Sequence, residues 1–526
     1  GADKRLFPAL SLEIFSFDDD TRLGSVQVGQ MIAEADSGSY RTSYWHVIPQ
    51  YGHVWKERGD GEWSRAAFPI MLVHNFENVA HQGLATFLYK GDDVSHVRMQ
   101  FVQQSTPWNT PEHFIAWGVA ESRSRSIDDP PGLAEKQAAA VQEIRQRIEA
   151  RPWVELEKQY PAGALNGFGG PLKDKWIVMN AAVKDGIVYY QDSDTPYGPY
   201  PYPQDMRFGI RSMTKSITVP LALGRLCQVF GPYVLNLKIG DYVEGLHPAY
   251  DNVRFIDAAN MATGMGGSGD LTTVPNDGYS GYLDDTYDDW YNGAKSAAEK
   301  SALITRDTDP YPWGPGVVYR YRDRDHHLLG MAIDGFLKKA RGPDVNIWDM
   351  LKEEVFQPIG IYHAPIVRTV EPDGSKGLPW FHAAYYPLLD DIVKIGLLYQ
   401  NLGRSGDEQI LHSIVIVEIF TTEGALIKDY DHSVEAAFAR ATDDSRYANR
   451  DLYKLAFHYT PYANVNGTEG HIPTMGGFSG TRVMFHPNGF ISMRFAKAWP
   501  MPEDEQADAY RNDAIQIISR LPPAKE

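Results

Sequence analysis

The segment Arg211-Ser212-Met213-Thr214-Lys215 places a hydroxyl and an amine three residues apart. On a helix, positions i and i+3 share a face, so the two side chains can meet. A serine hydroxyl is a weak nucleophile until a base takes its proton. A lysine one turn away does this if its pKa is depressed; alternatively it stays charged and supports another base. If Ser212 opens the helix, its own N–H is one of the unsatisfied donors there and suits a developing oxyanion. The spacing alone carries little weight, because a chain of this composition holds about one such match by chance. An active-site serine needs other residues to agree with it.

The elements around Ser212 are legible. Phe208-Gly209-Ile210 opens into the helix that carries it. Upstream, Trp176–Asn180 and Ile187–Tyr190 read as strands joined through Lys184-Asp185-Gly186, and Asp-Gly suits a tight hairpin turn. A Tyr/Pro-rich loop, Thr195 to Pro203, lies between hairpin and helix. Further helices are expected near Asp325–Lys338, Leu388–Leu402 and Glu503–Leu521. A late hairpin runs from Arg482–Phe485 through Pro487-Asn488-Gly489 to Phe490–Phe495. Residues 1 to about 128 are β-rich: Gly24–Val28 and Val97–Val102 alternate as strands do. A boundary is expected at Asp128-Asp129-Pro130-Pro131-Gly132, then a helix from Leu133 to about Ala150, ending before Arg151-Pro152. The expected organisation is a β-rich N-terminal domain of unknown role (1–130) and an α+β domain bearing Ser212 (131–526).

Composition narrows the function classes. With 526 residues, 43% hydrophobic and 12% aromatic, the chain has ample core and length for more than one domain. A formal charge of −18 argues against nucleic acid and anionic membrane as partners. No run is apolar enough to span a bilayer. A single cysteine excludes a disulfide within the chain and a Cys-based zinc site; Cys227, among Leu226, Val229 and Phe230, reads as a buried inert thiol. His74, Glu77 and His81 fit no metal motif, and neither metal nor cofactor is expected. The chain opens at Gly1 without an apolar leader, and a periplasmic or secreted location is expected slightly ahead of a cytoplasmic one. Oligomeric state is not readable from composition.

Three separated segments together resemble the serine β-lactamase-like family, which includes penicillin-binding DD-peptidases, class C β-lactamases and family VIII carboxylesterases. The first is Phe208 to Ser216, followed by Asp251 to Met265, which ends in the turn Ala262-Thr263-Gly264 where the family has a Thr-Ser-Gly-like turn. The second is Tyr319-Arg320-Tyr321-Arg322-Asp323 ahead of Leu328-Leu329-Gly330. Counting back from that helix puts Tyr321 on the family tyrosine and Asp323 on its asparagine, with Tyr319 the runner-up tyrosine. The third is Met475-Gly476-Gly477-Phe478, in the place of the family's Lys/His-Thr-Gly strand. The resemblance covers roughly residues 150 to 526. It implies a β-lactamase/transpeptidase-like fold, with an antiparallel sheet and helices. It also implies an acyl-enzyme on Ser212 and an oxyanion hole completed by the Phe478 N–H.

Two positions depart from the family pattern. Met475 lacks the cation that would pair with a substrate carboxylate, and losing one member of such a pair costs roughly 2–5 kcal/mol. Family VIII esterases also tend to an apolar residue before Gly-Gly. Arg482 is an alternative cation. Asp323 replaces an amide that can donate with a carboxylate that cannot, and near Lys215 it would favour the ammonium. Lys215 would then lower the pKa of Tyr321, which takes the Ser212 proton. The expected substrate is a small-molecule ester, with an amide or D-Ala-D-Ala-like peptide as the alternative, and a non-catalytic binding protein as a further one. Trp313, before Gly314-Pro315-Gly316, and His471, near the third segment, are candidate cleft residues, as are the aromatic loops around Tyr197–Tyr202 and Tyr279–Tyr291.

Overall fold

The computed structural model describes residues 12–17, 20–25, 31–32, 45–74, 79–106, 115–124, 133–266, 286–310, 314–317, 319, 321–423, 452–463, 469–498 and 514–523. Two large sheets dominate it. The first holds ten strands, all antiparallel to their partners, between Leu12 and Ala120. Its centre is the long pair Ser64–His74 and Ala80–Lys90, flanked by Val97–Ser105. The expected strand at Val97 is therefore present and longer than expected, whereas Val26–Val28 lies outside the described residues.

The second sheet holds eight strands in the spatial order Ala150–Pro152, Ile187–Tyr190, Ile177–Lys184, Ile491–Ala496, Arg482–Phe485, Glu469–Gly476, Phe457–Ala463, Tyr453–Lys454. Every pairing is antiparallel except the edge pair Ala150–Pro152 with Ile187–Tyr190. Both expected hairpins are there. In the first, Asp185 (φ +51°) and Gly186 (φ +75°) both take positive φ, as a tight type I′ turn requires. Mixed helices and antiparallel sheet give the expected α+β architecture.

The helix expected from Leu133 to Ala150 stops earlier, at Arg145. Residues Ala150–Pro152 instead join the sheet edge, because the residue before a proline is driven to extended backbone. The helix Met213–Phe230 is buried almost all round, as its apolar content demands, and ends at Gly231 (φ +104°), whose N–H bonds the Cys227 carbonyl. Cys227 is buried and its thiol pKa is pushed up to about 12 by that burial. The helix Asp323–Arg341 has Asp323 and Asp325 in its first turn and Lys338, Lys339 and Arg341 in its last, matching the helix dipole at both ends. Of the expected C-terminal helix, Ala514–Ile518 is described.

The sheets share apolar packing. Ile48, Met71, Val73 and Ala80 from the first belong to the same core as Val178, Ile210, Met213 and Val483. The loop around Tyr197–Tyr202 serves this contact: the Tyr200 hydroxyl donates to the Gly83 carbonyl at 2.7 Å, and Tyr202 stacks on His53, while Tyr197 is exposed. Among the described residues no helix is long and apolar enough to cross a membrane.

Candidate active site

Ser212 is held by a short, tightly fixed approach. Phe208 stacks on Phe495 with ring centroids 3.9 Å apart, and its N–H bonds the Pro387 carbonyl at 2.9 Å. Arg211 then takes φ +46°, a left-handed conformation costly for a residue with a side chain. That turn delivers Ser212 as the residue capping the helix Met213–Phe230. Its N–H belongs to the first turn, where donors have no partner within the helix.

The Lys215 ammonium donates to Ser212 Oγ at 3.1 Å and to the His382 carbonyl at 2.7 Å, and sits 2.5 Å from Asp323 Oδ1. These three acceptors match the three donors of an ammonium. Burial pulls the Lys215 pKa below the ordinary lysine value, against the opposing pull of Asp323. Asp323 is itself buried at the start of the helix Asp323–Arg341, and its other oxygen accepts from the Tyr287 hydroxyl at 2.6 Å. Both carboxylate oxygens thus face protein groups. The His382 carbonyl was invisible in the sequence, since no pattern marks a backbone acceptor contributed by a distant loop. Tyr287 was visible only as one ring of an aromatic loop. Its neighbours Trp290 and Tyr291 are buried against His382, with centroids 5.1 and 5.7 Å away, and do not face open solvent.

Tyr321 lies beside this group: the Lys215 nitrogen is 5.0 Å from its ring centroid. Tyr319 faces the core instead, stacked on Tyr453 at 4.6 Å. The geometry separates the two tyrosines that the motif count left close. His458 stacks nearly parallel to Tyr321, with centroids 6.0 Å apart. It comes from the strand Phe457–Ala463, next to the third segment, and lay outside the three motif segments.

The strand Glu469–Gly476 brings the third segment to Ser212. A Cβ added at Gly477 would lie 2.5 Å from the Ile210 carbonyl oxygen, so only glycine permits this approach to the chain two residues before Ser212. Gly476 gives similar room to His458, whose ring carbon would be 3.1 Å from its Cβ. Met475 points into the core and pairs with Val483. Phe478 follows, half-buried, in a one-turn segment. Arg482 donates to the Gly477 and Thr481 carbonyls at 2.8 and 2.7 Å, which fixes that turn. His471 is exposed on the same strand, roughly 16 Å up-strand from Gly476 at the usual rise per residue. The structure does not bring it to Ser212. Trp313 lies outside the described residues.

The turn Ala262-Thr263-Gly264 packs under the second segment. The Gly316 N–H bonds the Ala262 carbonyl at 2.7 Å, and a Cβ at Gly264 would lie 2.5 Å from the Gly314 carbonyl carbon. Thr263 donates to Asp325 at 3.0 Å, which ties the turn to the helix that begins at Asp323. Among the described residues no group of three or more potential metal ligands is assembled.

No family model matches the chain, and no curated protein matches it. Its structure is similar to several solved ones. A penicillin-binding protein homologue from Pyrococcus abyssi, described as octameric, is 16% identical, with a TM-score of 0.42 over 66% of this chain and 75% of that one. A D-stereospecific amidohydrolase from Streptomyces sp. is 14% identical, with a TM-score of 0.40 over 62% and 92%. A class C β-lactamase in complex with cefoxitin is 13% identical, with a TM-score of 0.40 over 74% and 100%.

Proposed function

We propose that the protein is a serine hydrolase of the β-lactamase-like kind, working through an acyl-enzyme on Ser212. The observation that carries the reading is the buried Lys215 nitrogen 3.1 Å from a serine hydroxyl at a helix N-terminus, backed by a carboxylate. Lys215, held as an ammonium by Asp323, stabilises the phenolate of Tyr321, and the phenolate takes the Ser212 proton as Oγ attacks a carbonyl carbon. The N–H groups of Ser212 and Phe478 receive the negative charge that develops on the carbonyl oxygen. When the tetrahedral intermediate collapses, the leaving group departs with the proton from Tyr321. That departure restores the phenolate, which takes a proton from water as the water attacks the acyl-serine carbonyl; the phenol then returns the proton to Ser212 Oγ as the acid is freed.

An ester is the favoured substrate class. Met475 offers no charge, and Arg482 spends a guanidinium nitrogen on two backbone carbonyls. An acyl group without a carboxylate suits such a pocket. A second reading, an amidase or DD-peptidase, draws on one observation: the His458 ring stands beside Gly476, where a ring N–H would meet a substrate carboxylate. Turnover of p-nitrophenyl acyl esters, D-Ala-D-Ala peptides and a chromogenic cephalosporin, each with wild type and Ser212→Ala, separates these readings. Ester turnover lost in Ser212→Ala is expected. Equal rates in both proteins would end the hydrolase reading, and peptide turnover alone would replace ester with amide.

A further inference from the structure

The first sheet reaches directly into the approach to the nucleophile. The strand Val97–Ser105 ends at Ser105, and Thr106 follows with φ +46°; both side chains are buried. Ser105 Oγ accepts the Gly209 N–H at 2.8 Å, and Thr106 Oγ1 donates to the Gly209 carbonyl at 3.1 Å. Both polar groups of Gly209 are therefore held by hydroxyls from the N-terminal sheet, not by a neighbouring strand. Gln82 adds a further tie, donating to Ser105 Oγ at 2.8 Å and to the Arg207 carbonyl at 2.9 Å. The Arg211 guanidinium donates to the Thr106 carbonyl at 3.3 Å. Gly209 leaves no slack: an added Cβ would lie 2.8 Å from the Ala80 Cβ and 2.9 Å from Thr106 Oγ1. The Thr106 N–H in turn bonds the Ala496 carbonyl at 3.1 Å, tying the clamp to the central strands of the second sheet.

We propose that Ser105 and Thr106 are positioning residues for Ser212, and that the N-terminal sheet serves catalysis by clamping the segment from Arg207 to Arg211. The proposal rests on Ser212 being the nucleophile. Arg211 adopts its left-handed conformation one residue before Ser212, and a conformation of that kind persists only where its surroundings over-determine it. The hydroxyl pair, the Gln82 amide and the Arg211–Thr106 bond provide that determination. None of these groups touches the reacting atoms. They act through the backbone, by fixing where Oγ stands relative to Lys215 and the oxyanion donors. A displacement of about 1 Å in such geometry costs roughly 100-fold in rate.

The test compares wild type, Thr106→Val, Ser105→Ala, Thr106→Ser and Ser212→Ala. Each is assayed for its rate of labelling by a fluorophosphonate, and for kcat per labelled site and KM on a p-nitrophenyl ester. The expected result is a 10- to 100-fold fall in labelling rate and kcat for Thr106→Val and Ser105→Ala, with KM little changed. Thr106→Ser, which keeps the hydroxyl, restores most of the rate. A lower melting temperature with wild-type kcat per labelled site would show a merely structural role and overturn the proposal. Should Thr106→Val not fold, Ser105→Ala carries the same two outcomes. Wild-type protein that takes no label on Ser212 would end the nucleophile assignment, and the positioning role with it. Labelled wild type with equally fast hydroxyl variants would end the positioning role alone.

Discussion

Oδ1 of Asp323 lies 2.5 Å from Nζ of Lys215, with both groups buried. A lone ammonium in that place would be driven to the neutral amine by burial, and the carboxylate is what opposes this. Asp323→Asn keeps the shape and removes the charge. The ammonium is then less favoured, so the alkaline limb of the kcat/KM profile should move to lower pH. Stability should fall by about 3 kcal/mol, as when one partner of a buried pair is removed. A pH–rate profile with an unmoved alkaline limb would show that Asp323 does not hold the lysine charged.

Tyr321 and Tyr319 are two residues apart and should behave very differently. Tyr321 sits against Lys215, whereas Tyr319 stacks on Tyr453 in the core. Tyr321→Phe should lower kcat by about 100- to 10,000-fold, the usual contribution of a general base. Tyr319→Phe should stay within a few-fold of wild type. Near-normal kcat for Tyr321→Phe would remove it from the mechanism and leave Lys215 as the base.

Gly477 links the third segment sterically to the approach to Ser212. In Gly477→Ala, the new methyl would stand 2.5 Å from the Ile210 carbonyl oxygen, so one chain must shift. A loss of about 1–3 kcal/mol in unfolding free energy is expected, as for other overpacked sites. Fluorophosphonate labelling should slow at the same time, because Ile210 lies two residues before Ser212. Chemical denaturation and labelling rates measure the two effects separately.

Lys300 provides a pH signature in the wall behind the site. Its ammonium donates to the Trp290 and Tyr291 carbonyls at 2.6 and 3.0 Å, and burial, aided by Lys295, pushes its pKa down to about 7. The unfolded chain holds that proton up to the ordinary lysine value. Between about pH 7 and 10.5 the unfolded state therefore binds more protons, and stability should rise with pH by at most about 1.4 kcal/mol per unit. Denaturation at pH 7 and pH 9 should show this rise in wild type and its loss in Lys300→Met. Equal pH dependence in the two proteins would place the Lys300 pKa near its usual value.

Much of this site was legible in the sequence because it depends on local pattern. Ser212 and Lys215 share a helix face, Asp-Gly fixes a hairpin, and Gly476-Gly477 marks a close backbone approach. In the sequence Tyr321 is separable from Tyr319 only by counting from Leu328-Leu329-Gly330; in the structure Tyr321 lies beside Lys215 and Tyr319 stacks on Tyr453. The parts that were not legible arise from long-range contacts. The His382 carbonyl reaches Lys215 across 167 positions of sequence, and His458 arrives through strand pairing with Thr474. His471 stands five residues from Gly476 on one extended strand, where nearness in sequence becomes distance in space. The role of Ser105 and Thr106 was hidden for the same reason, since two ordinary hydroxyl residues gain meaning only from the glycine they meet.

The central claim is that Ser212 is the nucleophile, and intact-mass analysis with peptide mapping after fluorophosphonate treatment tests it most directly. The account predicts one adduct, on the peptide containing Ser212, absent in Ser212→Ala and slowed in Lys215→Ala. An unlabelled wild-type protein, or an adduct on another residue that survives Ser212→Ala, would contradict it.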